Sequence, residues 1–249
     1  MDQYHFLVGE LKKNSPFIPA SVSAQLFAWF AQVGEAVERY GSKTGKVVKF
    51  SQKNYEKTLY APDADSVQLF SARLVPKEDA AEASNCAALG VYGTSASLLL
   101  AIRASQLPLA QLFDGAAAIP GLLDHCEYVY GYSETLGHGT GYAHGYFQAD
   151  EAHPITFGRR DPANNWGAIK RNGRQDAYVR DVYPINIFSR AKLDALPPAR
   201  LHALRTAMQA HGRCEEQHGI TRWFLSGAEQ AAARAELLAH AMLGSHIDN

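Results

Sequence analysis

Two short apolar segments separated by a turn constrain the fold of this chain more than any other feature. Residues 89–92 and 97–103 are both apolar, and a Gly-Thr-Ser sequence lies between them. Such a turn predicts two paired strands. Elsewhere a strand at 127–133 follows a helical segment at 107–126, which is a strand-helix-strand connection. Because both kinds of connection occur, the sequence predicts an α+β fold with a mixed or antiparallel sheet and flanking helices, in which two similar α/β subdomains are an alternative.

Hydrophobic periodicity places the remaining elements. Strands are predicted at residues 4–11, 46–50, 67–75, 179–188 and 220–225. Helices are predicted at residues 21–40, 189–196, 199–211 and from 226 onward. Ser189 and Ser226 stand where N-cap residues of two of these helices are expected. The polar residues 51–65 are predicted to be a long surface loop, and the basic stretch around residues 159–180 a solvated loop with ion pairs.

The length of 249 residues fits either one large domain or two small ones. We expect a single α+β domain over residues 1–249. If the chain is subdivided, the charged stretch at 76–85 is the place for the boundary.

Charge and composition exclude several functional classes. The 24 Lys and Arg residues nearly balance the 25 Asp and Glu residues, so the chain has no net field to attract nucleic acid. No apolar stretch approaches the length of a membrane-spanning helix, and the first residues do not resemble a signal peptide. The three cysteines form no CxxC pair. We therefore expect a cytoplasmic protein with reduced thiols that binds neither nucleic acid nor membrane; its oligomeric state is open.

The most unusual segment is rich in tyrosine and glycine and covers residues 127–154. In an extended chain its even-numbered side chains would share one face, because alternate residues of a strand point to opposite sides. Tyrosine is typical of interface anchors, so this face is a candidate partner-binding surface, with Trp166 as a further member. Packing of the same tyrosines over the core is the alternative. The predicted partner-binding residues are Tyr128, Tyr130, Tyr132, His138, Tyr142, His144, Tyr146 and Trp166.

The histidines of this segment raise two further possibilities. Their spacing matches no standard metal-ligand motif, so we expect no metal and no cofactor. His138, Gly139 and Thr140 form an HxT triplet, which two-histidine phosphoesterases use twice. The chain has no second such triplet. A small histidine-dependent hydrolase or phosphoesterase therefore stays an alternative, and we expect no enzyme activity and assign no catalytic residue.

The C-terminal third carries a family resemblance. Residues 180–197 and 220–243 resemble the end of bacterial immunity proteins for secreted polymorphic toxins, including those of type VI secretion. The matching positions are Asp181, Tyr183, Pro184, Asn186, Trp223, Arg234 and Leu238. The resemblance implies an inhibitor that binds a cognate toxin protein in the cytoplasm and blocks it stoichiometrically. It brings no catalytic residues with it.

Overall fold

The computed structural model describes residues 2–12, 16–41, 46–71, 85–92, 95–136, 160–217 and 219–247. The chain forms two compact units, Met1–Cys126 with Ser133–Gln148, and Glu127–Tyr132 with Ala149–Asn249. Of the stretch at 76–85, only Asn85 lies within the described residues. The prediction of a single domain stays a prediction.

The first unit contains six strands and three helices among its described residues. The strands are β1 (Asp2–Leu11), β2 (Arg39–Gly41), β3 (Val47–Lys49), β4 (Ser66–Ser71), β5 (Asn85–Tyr92) and β6 (Ser95–Arg103). The helices are α1 (Pro19–Gln32), α2 (Gln52–Leu59) and α3 (Leu109–Ala118). The strands lie in the order β3-β2-β4-β5-β6-β1 with antiparallel pairing throughout. The helix α1 packs against β4 and β5, and α3 packs against β1.

One helix prediction and one loop prediction in this unit are wrong. The helix expected at 21–40 ends at Gln32, because Gly34 adopts a positive φ of 71° that an α-helix cannot continue through. Arg39 and Tyr40 pair with β4 instead, and Gly41 pairs with Val47 of β3. The loop expected at 51–65 contains α2, whose Tyr55 and Leu59 lie one helical turn apart and are buried.

The second unit contains the middle of β7 (Cys126–Leu136) and three further strands. These are β8 (Ile185–Ser189), β9 (Arg213–Gln217) and β10 (Ile220–Phe224), in the order β7-β8-β10-β9 with antiparallel pairs. Its described helices are α4 (Arg160–Arg171), α5 (Arg190–Ala195), α6 (Pro198–Ala210) and α7 (Gly227–Ala239). Short 3-10 turns occupy Gln175–Ala177 and Gly244–His246.

Local signals placed the starts of two helices in this unit correctly, α5 and α7. The Ser189 hydroxyl accepts a hydrogen bond from the Lys192 amide at 3.1 Å, as an N-cap should. Ser226 and Glu229 form a capping box at the start of α7.

Two expectations for the second unit are wrong, and the sequence did not indicate one of its strands. Residues 160–171 are helical and not a solvated loop. The strand expected at 179–188 begins only at Ile185, and β9 was not predicted at all because it has no apolar alternation.

The α+β class with an antiparallel sheet and flanking helices is confirmed. Every strand pair whose register is defined within the described residues is antiparallel. In the second unit, α5 packs against β8 and α6 against β9. None of the helices in the described ranges is both long enough and apolar enough to cross a membrane.

Candidate functional site

Two of the residues that carry the family resemblance, Asp181 and Arg234, meet in the second unit at the carboxylate of Asp181. Asp181 lies in the irregular segment before β8 and accepts a hydrogen bond from Arg234 Nε at 2.7 Å. The Val182 amide donates to the same carboxylate at 2.7 Å, and His246 Nε2 lies 3.4 Å from its second oxygen. Arg234 Nη2 also donates to the Val182 carbonyl at 2.7 Å. These contacts fix α7 and the C-terminal 3-10 turn to the segment before β8.

The environment of Asp181 determines its charge. Burial raises the pKa of Asp181, but the hydrogen bonds from His246, Arg234 and the Val182 amide, with the positive charge of Arg234, outweigh burial. The net pKa therefore lies below its ordinary value, and the carboxylate is ionised at neutral pH. A carboxylate whose lone pairs are occupied in this way is suited to anchoring structure.

Asn186 closes the turn between Asp181 and β8. Its side chain is fully buried, accepts a hydrogen bond from the Tyr183 amide at 3.1 Å and donates to the Tyr183 carbonyl at 2.6 Å. The Tyr128 hydroxyl lies 3.2 Å from Asn186 Oδ1 and 3.1 Å from the Asp181 carbonyl. We refer to Asp181, Asn186, Arg234, His246 and Tyr128 as the Asp181 network. It joins β7, β8, α7 and the C-terminal turn.

Trp223 anchors the neighbouring strand. It is 1% exposed, which confirms the burial expected from its strand position. Its indole Nε1 donates to the His211 carbonyl at 2.7 Å, and the His211 ring lies 3.1 Å from Glu236 on α7. Tyr183 was expected to be buried on a strand as well, but it precedes β8 and is only half-buried.

The tyrosines of β7 share one face, as their even numbering predicts. The ring centroids of Tyr128 and Tyr130 lie 5.2 Å apart, and those of Tyr130 and Tyr132 lie 6.3 Å apart. Phe188 stacks on Tyr128 at 4.9 Å, and Tyr183 stacks on Tyr130 at 4.3 Å. Within the second unit, this row of rings therefore contacts Phe188 on the neighbouring strand β8 and Tyr183 in the segment before it.

The structure places the predicted partner-binding residues as follows. Tyr128 and Tyr130 are buried, and Tyr132 is half-buried at the end of the aromatic row. Trp166 is also buried, on α4, where it packs with Ile169 and Tyr178. Core packing accounts for the three buried rings, which is the alternative that the sequence left open. The others, His138, Tyr142, His144 and Tyr146, lie outside the described residues together with Gly139 and Thr140. A partner-binding role for the segment stays a prediction.

Within the described ranges, no group of three or more His, Cys, Asp or Glu side chains is arranged to hold a metal ion.

No protein-family model matches the chain, and no curated protein matches it. Among solved structures, the Pseudomonas aeruginosa T6SS protein PA0821 is similar, with a TM-score of 0.49 and 14% identity. The similarity covers 97% of this chain and 72% of that chain.

Proposed function

We propose that this chain is an immunity protein that binds a cognate secreted bacterial toxin, of the type VI secretion kind, and neutralises it stoichiometrically. The proposal includes a cytoplasmic location, no cofactor and no enzymatic activity of its own. The partner is a protein, and neither nucleic acid nor membrane is required.

One observation supports this proposal most directly. Among the seven positions that resemble immunity proteins, Asp181 and Arg234 are separated by 53 positions in the sequence. In the fold, Asp181 pairs directly with Arg234, while Asn186 is linked to Asp181 through Tyr128. Direct and bridged contacts among three of these positions are what a resemblance based on one folded module would produce, and this supports the proposal.

The test is relief of toxicity. Candidate toxin genes encoded next to this chain are expressed in a bacterial host with and without it. We expect the chain to restore growth against one toxin and to form an equimolar complex with it, measured by size-exclusion chromatography with light scattering. A catalytically inactive toxin should bind equally well, because a blocking inhibitor does not need the toxin to turn over.

The stoichiometry distinguishes an inhibitor from an enzyme. In vitro, the residual activity of the purified toxin should fall in proportion to added chain and reach zero at equimolar amounts. If substoichiometric amounts abolish toxicity over time, the chain acts catalytically, and the proposal of a stoichiometric binder is wrong. If the chain does not reduce the toxicity of any candidate toxin, the immunity function itself is contradicted.

A further inference from the structure

Two arginines of the second unit converge on one buried tyrosine ring. Arg200 Cζ lies 3.9 Å from the centre of the Tyr178 ring, and Arg174 Cζ lies 5.6 Å from it. Both distances are in the range of a cation-π contact. Arg174 Nη2 also donates to the Tyr178 hydroxyl at 2.8 Å, and Arg200 Nη1 donates to the Ala177 carbonyl at 2.9 Å. Both guanidinium groups are therefore held in position before any partner is present.

The end of α4 sets the position of Arg174. Gly173 has a φ of 66°, and the Arg174 amide donates back to the Ile169 carbonyl at 3.0 Å. This is the pattern of a helix ending in a left-handed glycine, which directs the chain sharply away from the helix axis. Arg200 comes from the first turn of α6, so two separate elements supply the arginine pair (Arg174 and Arg200).

The pair differs from Arg213, another stacked arginine of the unit, in having no acidic partner among the described residues. Arg213 lies over the Phe224 ring at 4.9 Å and also forms a salt bridge with Glu215 at 2.7 Å. Arg174 and Arg200 bond only to neutral oxygens and face no carboxylate within the described part of the chain. A guanidinium has five N–H donors, so most donors of the pair have no acceptor there.

We propose that the arginine pair is a docking surface for the carboxylates of an acidic protein partner. The planar guanidinium group binds carboxylates with two parallel hydrogen bonds, and its fixed position reduces the entropy lost on binding. Lys170 and Arg171 in the last turn of α4 add positive charge near the pair. The 3-10 turn Gln175–Ala177 contributes one negative charge, that of Asp176. That the partner is the toxin rests on the proposed function.

The charge of the chain favours a protein partner over nucleic acid. Nucleic-acid affinity depends on neutralising many phosphates along a backbone, and a chain of net charge −1 has no field for this. Two fixed guanidinium groups that contact the same ring are suited to binding separate carboxylates on a folded surface or a peptide.

A fluorescent oligoglutamate peptide tests the surface without requiring the toxin. Its binding to the purified full chain is measured by fluorescence anisotropy at low ionic strength. The double variant Arg174→Gln with Arg200→Gln should bind about tenfold more weakly, because two charge-assisted contacts are lost. Arg213→Gln is the matched control and should bind like the parent, since that arginine is already paired. Lysine at both positions should restore part of the affinity, because lysine keeps the charge without the fork.

The fold and the binding site are checked separately. Thermal unfolding reports whether the glutamine variants fold. If they do not, amide chemical shifts of the parent protein locate the peptide, and the signals of residues 174–178 and Arg200 should move. The docking surface is refuted if the peptide does not bind, if the shifts lie elsewhere, or if the folded double variant binds like the parent. An oligonucleotide that binds this site more tightly than the peptide would also overturn the assignment to a protein partner. Peptide binding that depends on the arginine pair supports the docking surface even if the chain relieves the toxicity of no candidate toxin. That second result would contradict the proposed function alone.

Discussion

Replacement of Asp181 by asparagine tests the Asp181 network most directly. The substitution keeps the shape of the side chain but removes its charge. An amide oxygen can still accept from the Val182 N–H and from Arg234, since both contact Oδ1. The bond from Arg234 loses its charge assistance, and the contact with His246 is weakened.

The size of the effect follows from burial. The Asp181 side chain is 17% exposed and that of Arg234 is 34% exposed. A hydrogen bond to a charged group contributes about 1.5 to 3 kcal/mol. Solvent screening of the partly exposed Arg234 reduces its share, so we expect a loss of about 2 kcal/mol in the free energy of unfolding at pH 7.

The pH dependence has a definite sign. The pKa of Asp181 is lower in the folded chain than in the unfolded chain, where it is about 3.9. The stabilisation is therefore fully present above the unfolded pKa and is lost as the pH falls through the folded pKa. Urea unfolding of the parent and of the Asp181→Asn variant should differ at pH 7 and converge as the pH falls below about 4.

An exposed pair provides the control. Asp194 pairs with Arg190 one helical turn away, with side-chain exposures of 53% and 66%. Asp194→Asn should change stability by about 0.5 kcal/mol or less. A double-mutant cycle of Asp181→Asn with Arg234→Gln should give a coupling energy of about 1 kcal/mol. The reasoning fails if Asp181→Asn costs no more than Asp194→Asn, or if its cost is the same at acidic pH.

Three further tests probe the packing within the units. Trp223→Ala should destabilise the fold by about 3 to 5 kcal/mol in urea unfolding, and a variant that unfolds like the parent would contradict its burial. Gly244→Ala should cost about 1 to 3 kcal/mol, because a Cβ there would lie 2.6 Å from ring atoms of Trp166. Gly227→Ala meets nothing within 4 Å and should be nearly neutral, so equal effects at both glycines would refute the close contact. In the native protein a thiol reagent should modify the exposed Cys214, and the buried cysteines only after unfolding; equal rates for all would be inconsistent with the structure.

The sequence by itself determined elements whose signals are local. The Ser189 and Ser226 caps form hydrogen bonds over three residues, so the sequence around each helix start reveals them. The hairpin of β5 and β6 was predictable for the same reason, because a short turn leaves antiparallel pairing as the connection. The sharing of one face by Tyr128, Tyr130 and Tyr132 likewise follows from strand geometry alone.

Only the tertiary structure decided which of these faces is covered and what the matching residues do. Asp181 meets Arg234 across 53 positions, and Tyr128 meets Asn186 across 58. Trp166 of α4 packs where the distant Gly244 leaves room. Periodicity records which side of an element is apolar. The partner of that side, and the pairing of charges such as Asp181, depend on long-range contacts that no local pattern contains.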